Sequence, residues 1–246
     1  MSQARGTGKL DGMRAQRFDH PPSSGPGKWF AARCAICALA PGEPLCAECE
    51  ADFLPADPAR CDRCAIRLPS GSSGQCGRCL ADAPHYDQTR TLADYAAPVA
   101  GMVAALKFSA RLDLADVFGR LLAQREDAGR AGDLVIAVPL SFERESERGY
   151  NQSLAIARNY ARCLDLPLAE GRLLRVRHAP PQQSLTGAER RRNVRGAFGV
   201  NGSLQAGTVV VIDDVMTTGS TLDEVAATLK RAGVARVINR IVARTP

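Results

Sequence analysis

The segment Val209–Thr221 constrains the fold more than any other part of this 246-residue chain. An apolar run, Val209–Ile212, leads into Asp213 and Asp214, and a loop of small hydroxyl-bearing residues follows. An apolar run without alternation predicts a buried strand, and the loop then falls at its carboxyl end, where open α/β sheets bind ligands. The sequence therefore predicts a parallel α/β sheet with a ligand site at the end of this strand.

The residue types in this segment fit a sugar phosphate. Backbone N–H groups at the start of the next helix can surround a phosphate, together with the hydroxyls of Thr217, Thr218, Ser220 and Thr221. The two carboxylates can instead accept hydrogen bonds from a vicinal diol or help to hold a metal. We expect Ser220 to cap the helix. An ordinary strand with a polar turn is the alternative, and neither a Walker loop nor a dinucleotide-binding glycine pattern occurs.

The segment resembles the PRPP-binding signature of type I phosphoribosyltransferases. The resemblance implies that fold, a parallel sheet flanked by helices, with PRPP bound together with Mg²⁺. It places Asp213 and Asp214 at the ribose hydroxyls. The residues that it assigns to the 5-phosphate and its surroundings are Val215, Met216, Thr217, Thr218, Gly219, Ser220 and Thr221.

Eight of the nine cysteines form Cys-x-x-Cys pairs, namely Cys34/Cys37, Cys46/Cys49, Cys61/Cys64 and Cys76/Cys79. Two such pairs complete one tetrahedral site, so the eight thiols predict two structural zinc ions in a double zinc ribbon. Pairing in chain order is the simplest arrangement, and a crossed one stays open. Disulfides and iron–sulfur ligation are the alternatives. The ninth, Cys163, lies in a helical pattern and is predicted to be a core thiol.

Two segments predicted to be loops are further candidates for the site. Pro139–Ser153 follows a predicted strand and opens a helix, so Arg148 and the helix amides could face an anion; a solvated loop is the alternative. Arg172–Arg195 holds seven arginines and a single acid, Glu189. A long polar insert in a compact domain is usually functional or disordered, and a basic surface helix is the alternative.

The order of the motifs resembles the ComF family, competence-associated phosphoribosyltransferase-like proteins linked to the handling of incoming single-stranded DNA. The resemblance covers about residues 31–246 and is carried by the cysteine pairs, Leu106-Lys107-Phe108, Arg148-Gly149-x-Asn151-Gln152-Ser153, Gln182-x-x-Leu185-x4-Arg190-x-x-Asn193-x3-Ala197-Phe198, and Val209–Thr221. It implies that Arg148 acts in catalysis with Asp213 and Asp214, and that Lys107 and Arg190 contact PRPP.

The sequence also predicts the organisation of the chain. We expect a disordered tail over residues 1–30, the double zinc ribbon over 31–84 and the phosphoribosyltransferase-like domain over 85–246. The predicted strands are Thr89–Tyr95, Leu134–Val138, Val209–Ile212 and Val237–Val242, and the predicted helices include Val99–Phe108, Leu112–Gln124 and Asn151–Leu164. No apolar run reaches the roughly 20 residues of a membrane span, and no signal peptide is apparent, so we expect a cytoplasmic protein.

These features give two functional hypotheses. The first is a phosphoribosyltransferase that displaces pyrophosphate from PRPP by pentosyl transfer, with Mg²⁺. The alternative is a non-catalytic, PRPP-gated module that handles single-stranded DNA, since the net charge of +6 and the arginine-rich segment suit phosphates. The expected partners are PRPP, single-stranded DNA and proteins of the competence machinery. The sequence gives no acceptor substrate.

Overall fold

A computed structural model of the chain describes residues 33–55, 59–127, 132–177 and 194–246, which belong to one compact unit, residues 32–246. In these ranges the helices are α1 Ala47–Phe53, α2 Gly77–Ala81, α3 Val99–Phe108, α4 Asp113–Gln124, α5 Phe142–Arg148, α6 Gln152–Leu164 and α7 Ser220–Arg231. The strands are β1 Gln88–Asp94, β2 Leu134–Ala137, β3 Leu173–Arg175, β4 Phe198–Val200, β5 Thr208–Met216 and β6 Arg236–Arg244. The predicted tail over residues 1–30 lies outside the described residues.

The central sheet has the strand order β1-β6-β5-β2, and all of its strand pairs are parallel. Strand β5 is an inner strand, and α7 connects it to its neighbour β6. The sheet is covered on both faces, so Val209–Ile212 is fully buried, as the unbroken apolar run predicts. The predicted alternation of strands and helices is confirmed.

Successive residues of β5 face opposite sides of the sheet. Val210 and Ile212 pack in a core built with α3, α4 and α6. Val209 and Val211 pack in a second core with α7 and the small antiparallel sheet of β3 and β4. This alternation is the period of a strand, and it gives the sheet one hydrophobic layer on each face.

Each hydrophobic layer also contains part of the cysteine-rich segment. Cys34, Cys46 and Cys49 pack in the layer with α4, whereas Cys61 and Cys64 pack in the layer with α7. The two groups of cysteines therefore brace opposite faces of the same sheet.

A buried ion pair lies on the face covered by α4. Arg240, on β6, is 2% exposed, and its Nη2 lies 2.8 Å from Oε2 of Glu126. Nε of Arg240 also contacts this carboxylate, and the hydroxyl of Tyr160 donates to it at 2.7 Å. A buried charge needs this degree of pairing, because desolvation of an isolated ion costs several kcal/mol.

Several sequence predictions about local structure are wrong. The segment expected to be a loop after β2 contains α5, which begins after Ser141, whose side chain accepts from the Arg144 N–H, and ends at Gly149 with φ of 74°. Cys163 is exposed and is not a core thiol. The N-cap of α7 is Gly219, so Ser220 is the first helical residue and does not cap the helix.

Among the described residues, no helix combines the length and apolar character needed to cross a membrane.

Candidate functional site

The acid pair, Asp213 and Asp214, lies near the carboxyl end of β5, where side chains from two helices contact it. Asp214 is 5% exposed; its Oδ1 lies 3.0 Å from Nζ of Lys107 on α3. Its Oδ2 accepts from Nε2 of Gln152 on α6 at 2.6 Å. Asp213 accepts at Oδ1 from the Ser153 hydroxyl and from the Asp214 N–H, both at 2.9 Å. Both carboxylates are thus oriented before any ligand is present.

Gln152 and Ser153 are site residues that the sequence analysis did not assign. The signal was present, because both belong to the motif that begins at Arg148. They open helix α6, which Asn151 caps by accepting from the Leu154 N–H at 3.1 Å. The cap fixes the start of the helix and thereby places Gln152 and Ser153 against the carboxylates.

The two carboxylates differ in their electrostatic surroundings. Burial raises the pKa of Asp213, and the negative charge on neighbouring Asp214 raises it further. The hydrogen bond from Ser153 and the positive charge on Lys107 act in the opposite direction. The net effect raises the pKa of Asp213 to about 7. A hydrogen-bond donor or a cation next to this carboxylate would stabilise its ionised form, and the electrostatics therefore favour binding of such a group.

A loop of three residues, Thr217 to Gly219, joins β5 to α7. Hydroxyls converge here, since Oγ1 of Thr218 lies 2.8 Å from Oγ of Ser220. Oγ1 of Thr218 accepts from the Ser220 N–H at 3.4 Å, whereas the N-cap, Gly219, has no side chain to accept from the amides that follow. The N-terminus of a twelve-residue helix therefore presents backbone donors that an anion can accept from.

Gly219 is required by the geometry of this loop. Its φ is +84°, a left-handed conformation that L-residues rarely adopt. A Cβ at this position would lie 2.9 Å from the hydroxyl oxygen of the buried Tyr86 and 2.6 Å from Cε of Met216. The backbone can therefore make this turn close to Tyr86 only because residue 219 has no side chain.

Arg148, at the end of α5, is linked to the acid pair through one residue. Its Nη1 donates to Oε1 of Gln152 at 2.9 Å, and the same Gln152 donates to Asp214. Its guanidinium lies 5.1 Å from the ring centroid of Phe108, which is 75% exposed. The arginine is thus fixed at the rim of the site, beside an exposed aromatic ring.

The structure brings most of the residues predicted from the sequence to one place. Asp213, Asp214 and Lys107 are in contact, Arg148 joins them through Gln152, and the loop from Thr217 to Ser220 follows directly on the chain, with Thr221 in the first turn of α7. Val215 and Met216 are different, because they lie in strand β5, and the Met216 side chain is 2% exposed. Arg190 lies outside the described residues.

The cysteines form two groups that match pairing in chain order: Cys34, Cys37, Cys46 and Cys49; and Cys61, Cys64, Cys76 and Cys79. Within each group the four sulfur atoms lie within 4.8 Å of one another. Tetrahedral zinc with bonds of about 2.3 Å places its sulfur ligands about 3.8 Å apart. Cys37 and Cys46 Sγ are 3.8 Å apart, and Cys64 and Cys76 Sγ are 3.7 Å apart. Both groups therefore suit structural zinc.

A family model described as a phosphoribosyl transferase domain matches residues 150–246. The matched region begins just before α6 and includes β5, the acid pair and the loop. Fold, site and family model together define a protein with a type I phosphoribosyltransferase domain and two four-cysteine clusters at its N-terminal side.

Curated relatives narrow this class. The chain is 36% identical to DNA utilization protein YhgH of Escherichia coli O157:H7 over 164 residues, which is 64% of this chain and 72% of that protein. It is 30% identical to competence protein F of Haemophilus influenzae over 167 residues, which is 64% of this chain and 73% of that protein. Competence protein ComFC of Bacillus subtilis is 34% identical over 107 residues, 43% of this chain and 42% of that protein. The chain belongs to the ComF family.

Among solved structures, the chain is similar to a glutamine PRPP amidotransferase from B. subtilis, in a complex with ADP and GMP. The identity is 23% and the TM-score 0.38, over 53% of this chain and 26% of that one. A purine phosphoribosyltransferase from Pyrococcus horikoshii has an identity of 19% and a TM-score of 0.29, over 55% of this chain and 82% of that one.

Proposed function

We propose that this protein binds PRPP at the end of β5. The observation that carries the proposal is the acid pair followed directly by the glycine-capped N-terminus of α7. A diol acceptor and a phosphate-binding helix terminus thus lie within one short segment, Asp213 to Thr221. A carboxylate has about four acceptor positions, so Asp213 and Asp214 keep capacity for the ribose hydroxyls beside their present partners.

The same groups support pentosyl transfer. In this reaction the bond from the anomeric carbon to the pyrophosphate oxygen breaks, and the acceptor forms a bond to that carbon. Asp213 and Asp214 offset the positive charge that develops on the sugar, and Lys107 and Arg148 supply positive charge for the departing pyrophosphate.

Magnesium fits this proposal because its preferred ligands are oxygens. Oδ2 of Asp213 accepts no hydrogen bond from the described residues, which leaves a carboxylate oxygen for a cation. Bound Mg²⁺ would neutralise charge on the diphosphate of PRPP. Among the described basic side chains, Lys107 is placed nearest to the acid pair, and it orients Asp214.

A second function, the handling of single-stranded DNA, is favoured by the surface next to the site. The Phe108 ring is 75% exposed and lies against the Arg148 guanidinium, a pair on which a nucleobase can stack. Relatives are named for DNA utilization and for competence. In this alternative, PRPP gates the module without turnover, and DNA and proteins of the competence machinery are its partners.

The proposal also covers the domains and the location. We assign residues 31–84 to the double zinc ribbon and 85–246 to the phosphoribosyltransferase-like domain. Metal-bound thiolates are favoured where thiols stay reduced, which together with a PRPP ligand supports a cytoplasmic protein.

Calorimetric titration of the zinc-loaded chain with PRPP and Mg²⁺ tests the proposal. We expect saturable binding that is weakened at least about tenfold by Asp214→Asn, the loss of a charged hydrogen bond. Binding that is equally tight in this variant would reject the assignment. Pyrophosphate release, measured with candidate acceptors, then separates the enzyme from the non-catalytic module.

A further inference from the structure

The phosphate loop, defined here as Met216 to Ser220, is held from behind by the second cysteine cluster, defined as Cys61, Cys64, Cys76 and Cys79. The link is Arg244, the last residue of β6, which is 3% exposed. Its Nε donates to the Cys64 carbonyl at 3.0 Å, and its Nη1 donates to the Met216 carbonyl at 3.2 Å. One buried guanidinium thus joins the metal-binding turn to the first residue of the loop.

A second arginine joins the cluster to the middle of the loop. Arg78 lies between the ligands Cys76 and Cys79, and its Nη2 donates to the Thr218 carbonyl at 3.3 Å. None of the described carboxylates forms an ion pair with Arg78, so its charge is available to a ligand. Arg78 and the residues from Thr218 to Ser220 line one solvent-open cleft, which Asp82 and Asp223 also line.

The linker between the second cluster and β1, residues 82–87, also contacts the loop and α7. Tyr86 is 1% exposed, and its hydroxyl lies beside Gly219 at a distance that excludes a side chain there. The neighbouring His85 donates its backbone N–H to Asp223, in the first turn of α7, at 2.6 Å. The second cluster and its linker therefore contact the start of the loop, the middle of the loop and the first turn of α7.

The first cluster, Cys34, Cys37, Cys46 and Cys49, makes different contacts. Its surroundings bond to α4 and the residues flanking it: Arg111 donates to the Arg33 carbonyl at 3.1 Å, and Arg120 donates to the Glu50 carboxylate at 3.1 Å. Within the described parts of the chain, no hydrogen bond joins the first cluster to residues 213–221.

The electrostatics explain why arginines occupy these positions. A zinc ion with four thiolates has a net charge of roughly −2, which repels an approaching phosphate. Arg244 and Arg78 both lie between the second cluster and the loop, where their positive charges offset that repulsion. Arg78 is exposed, so it can also act directly on a bound anion.

We infer that the second cysteine cluster is a positioning element of the ligand site: it fixes the phosphate loop and supplies Arg78 to the 5-phosphate of the ligand. The first cluster has no such role. The inference rests on the proposed function for the identity of the ligand, but the structural coupling between the cluster and the loop does not depend on it.

The chain offers a matched pair of variants. The sequences Cys46-Ala47-Glu48-Cys49 and Cys76-Gly77-Arg78-Cys79 both begin a short helix, so Glu48 occupies in the first cluster the place of Arg78 in the second. We expect Arg78→Ala to weaken the binding of ribose 5-phosphate and of PRPP about fivefold to tenfold, which is the effect of one charged hydrogen bond. Two zinc ions should stay bound in this variant. Glu48→Ala should bind both ligands as the wild type does, and Arg78→Lys should lie between.

Amide hydrogen exchange tests the coupling without any ligand. Cys76→Ser should accelerate exchange in residues 216–221 at least tenfold, because the loop loses its support. Cys46→Ser should instead accelerate exchange in α4. Equal acceleration of the loop in both variants would overturn the inference, since it would report general loss of stability.

The outcomes separate this inference from the proposed function. If the wild type binds neither PRPP nor ribose 5-phosphate, the proposed function fails, and the exchange comparison still decides whether the cluster supports the loop. If the wild type binds and Arg78→Ala binds equally tightly, the role of Arg78 is rejected. Should Cys76→Ser not fold, the comparison of Arg78→Ala with Glu48→Ala remains decisive for the ligand contact.

Discussion

Lys107 and Asp214 form an ion pair, with Nζ of the lysine 3.0 Å from Oδ1 of the aspartate and side-chain exposures of 17% and 7%. The lysine comes from the last turn of α3 and the aspartate from β5. In the proposed function, the cation of Lys107 lies where the ribose hydroxyls and the pyrophosphate of PRPP would meet the protein.

Replacing Lys107 by methionine should weaken PRPP binding by about tenfold, because a charged hydrogen bond to the site is lost while the aliphatic stem is kept. The variant also removes a positive charge that holds down the pKa of Asp213. The pH at which PRPP binding is half-maximal should therefore rise. Isothermal titration at several pH values measures both effects.

Lys230→Met is the control for Lys107→Met. Nζ of Lys230 lies 2.9 Å from Oδ2 of Asp87, the residue before β1, and this pair is away from the acid pair. PRPP affinity should stay within about twofold in this variant, as expected for loss of a surface pair. Equal losses of affinity in both variants would show that the Lys107 effect is not local.

Asp213→Asn should stabilise the ligand-free protein more at high pH than at low pH. The folded state raises the pKa of Asp213 to about 7, above the value of roughly 3.9 in an unfolded chain. Between these values the folded state holds a proton that the unfolded state releases, so the wild type loses stability as pH rises toward 7. Asparagine does not titrate and escapes this loss.

Urea unfolding of zinc-loaded protein at about pH 5.5 and pH 8 checks this prediction. The advantage of Asp213→Asn over the wild type should be larger at the higher pH. Asp116→Asn, at an exposed position on α4, controls for the loss of a surface carboxylate. An advantage of the same size at both pH values would contradict the assigned shift.

Elemental analysis should give two zinc ions per chain. Cys163→Ser should leave this count unchanged, because Cys163 is exposed and belongs to neither cluster. Removal of zinc by a chelator should lower the unfolding temperature strongly, since the cysteines pack in both hydrophobic layers of the sheet and the free energy of metal binding contributes to folding. Protein without zinc, prepared without chelators, would refute the assignment.

The buried ion pair of Arg240 and Glu126 gives a prediction about stability alone. Glu126→Gln leaves the Arg240 guanidinium, 2% exposed, without a charged partner and should destabilise the protein by about 3 kcal/mol. Glu170→Gln removes the exposed pair with Arg158 and should cost less than about 1 kcal/mol. Similar losses in both variants, measured by urea unfolding, would contradict this account.

Local patterns in the sequence predict much of this molecule. The apolar run Val209–Ile212 is buried, helix Val99–Phe108 has the predicted bounds, and the cysteines group in chain order. Each of these features depends on residues that are close together in sequence. Spacing and periodicity are therefore sufficient to identify them.

Features that depend on tertiary contacts were not predicted. Helix α5 buries none of its residues, so it has no apolar stripe to distinguish it from a solvated loop. The packing of each cysteine cluster on a different face of the sheet depends on contacts far apart in the chain, such as that between Arg244 and the Cys64 carbonyl. The cap at Gly219 depends on the nearby Tyr86, which no local pattern indicates.

The measurement that tests the central claim most directly compares ribose 5-phosphate with 2-deoxyribose 5-phosphate. If Asp213 and Asp214 bind the ribose hydroxyls, the wild type should prefer the ribose form by about tenfold, the value of one charged hydrogen bond. Asp214→Asn should reduce this preference while retaining the phosphate contribution from the loop. Equal affinity of the wild type for the two sugars, or a preference that Asp214→Asn leaves intact, would contradict the account.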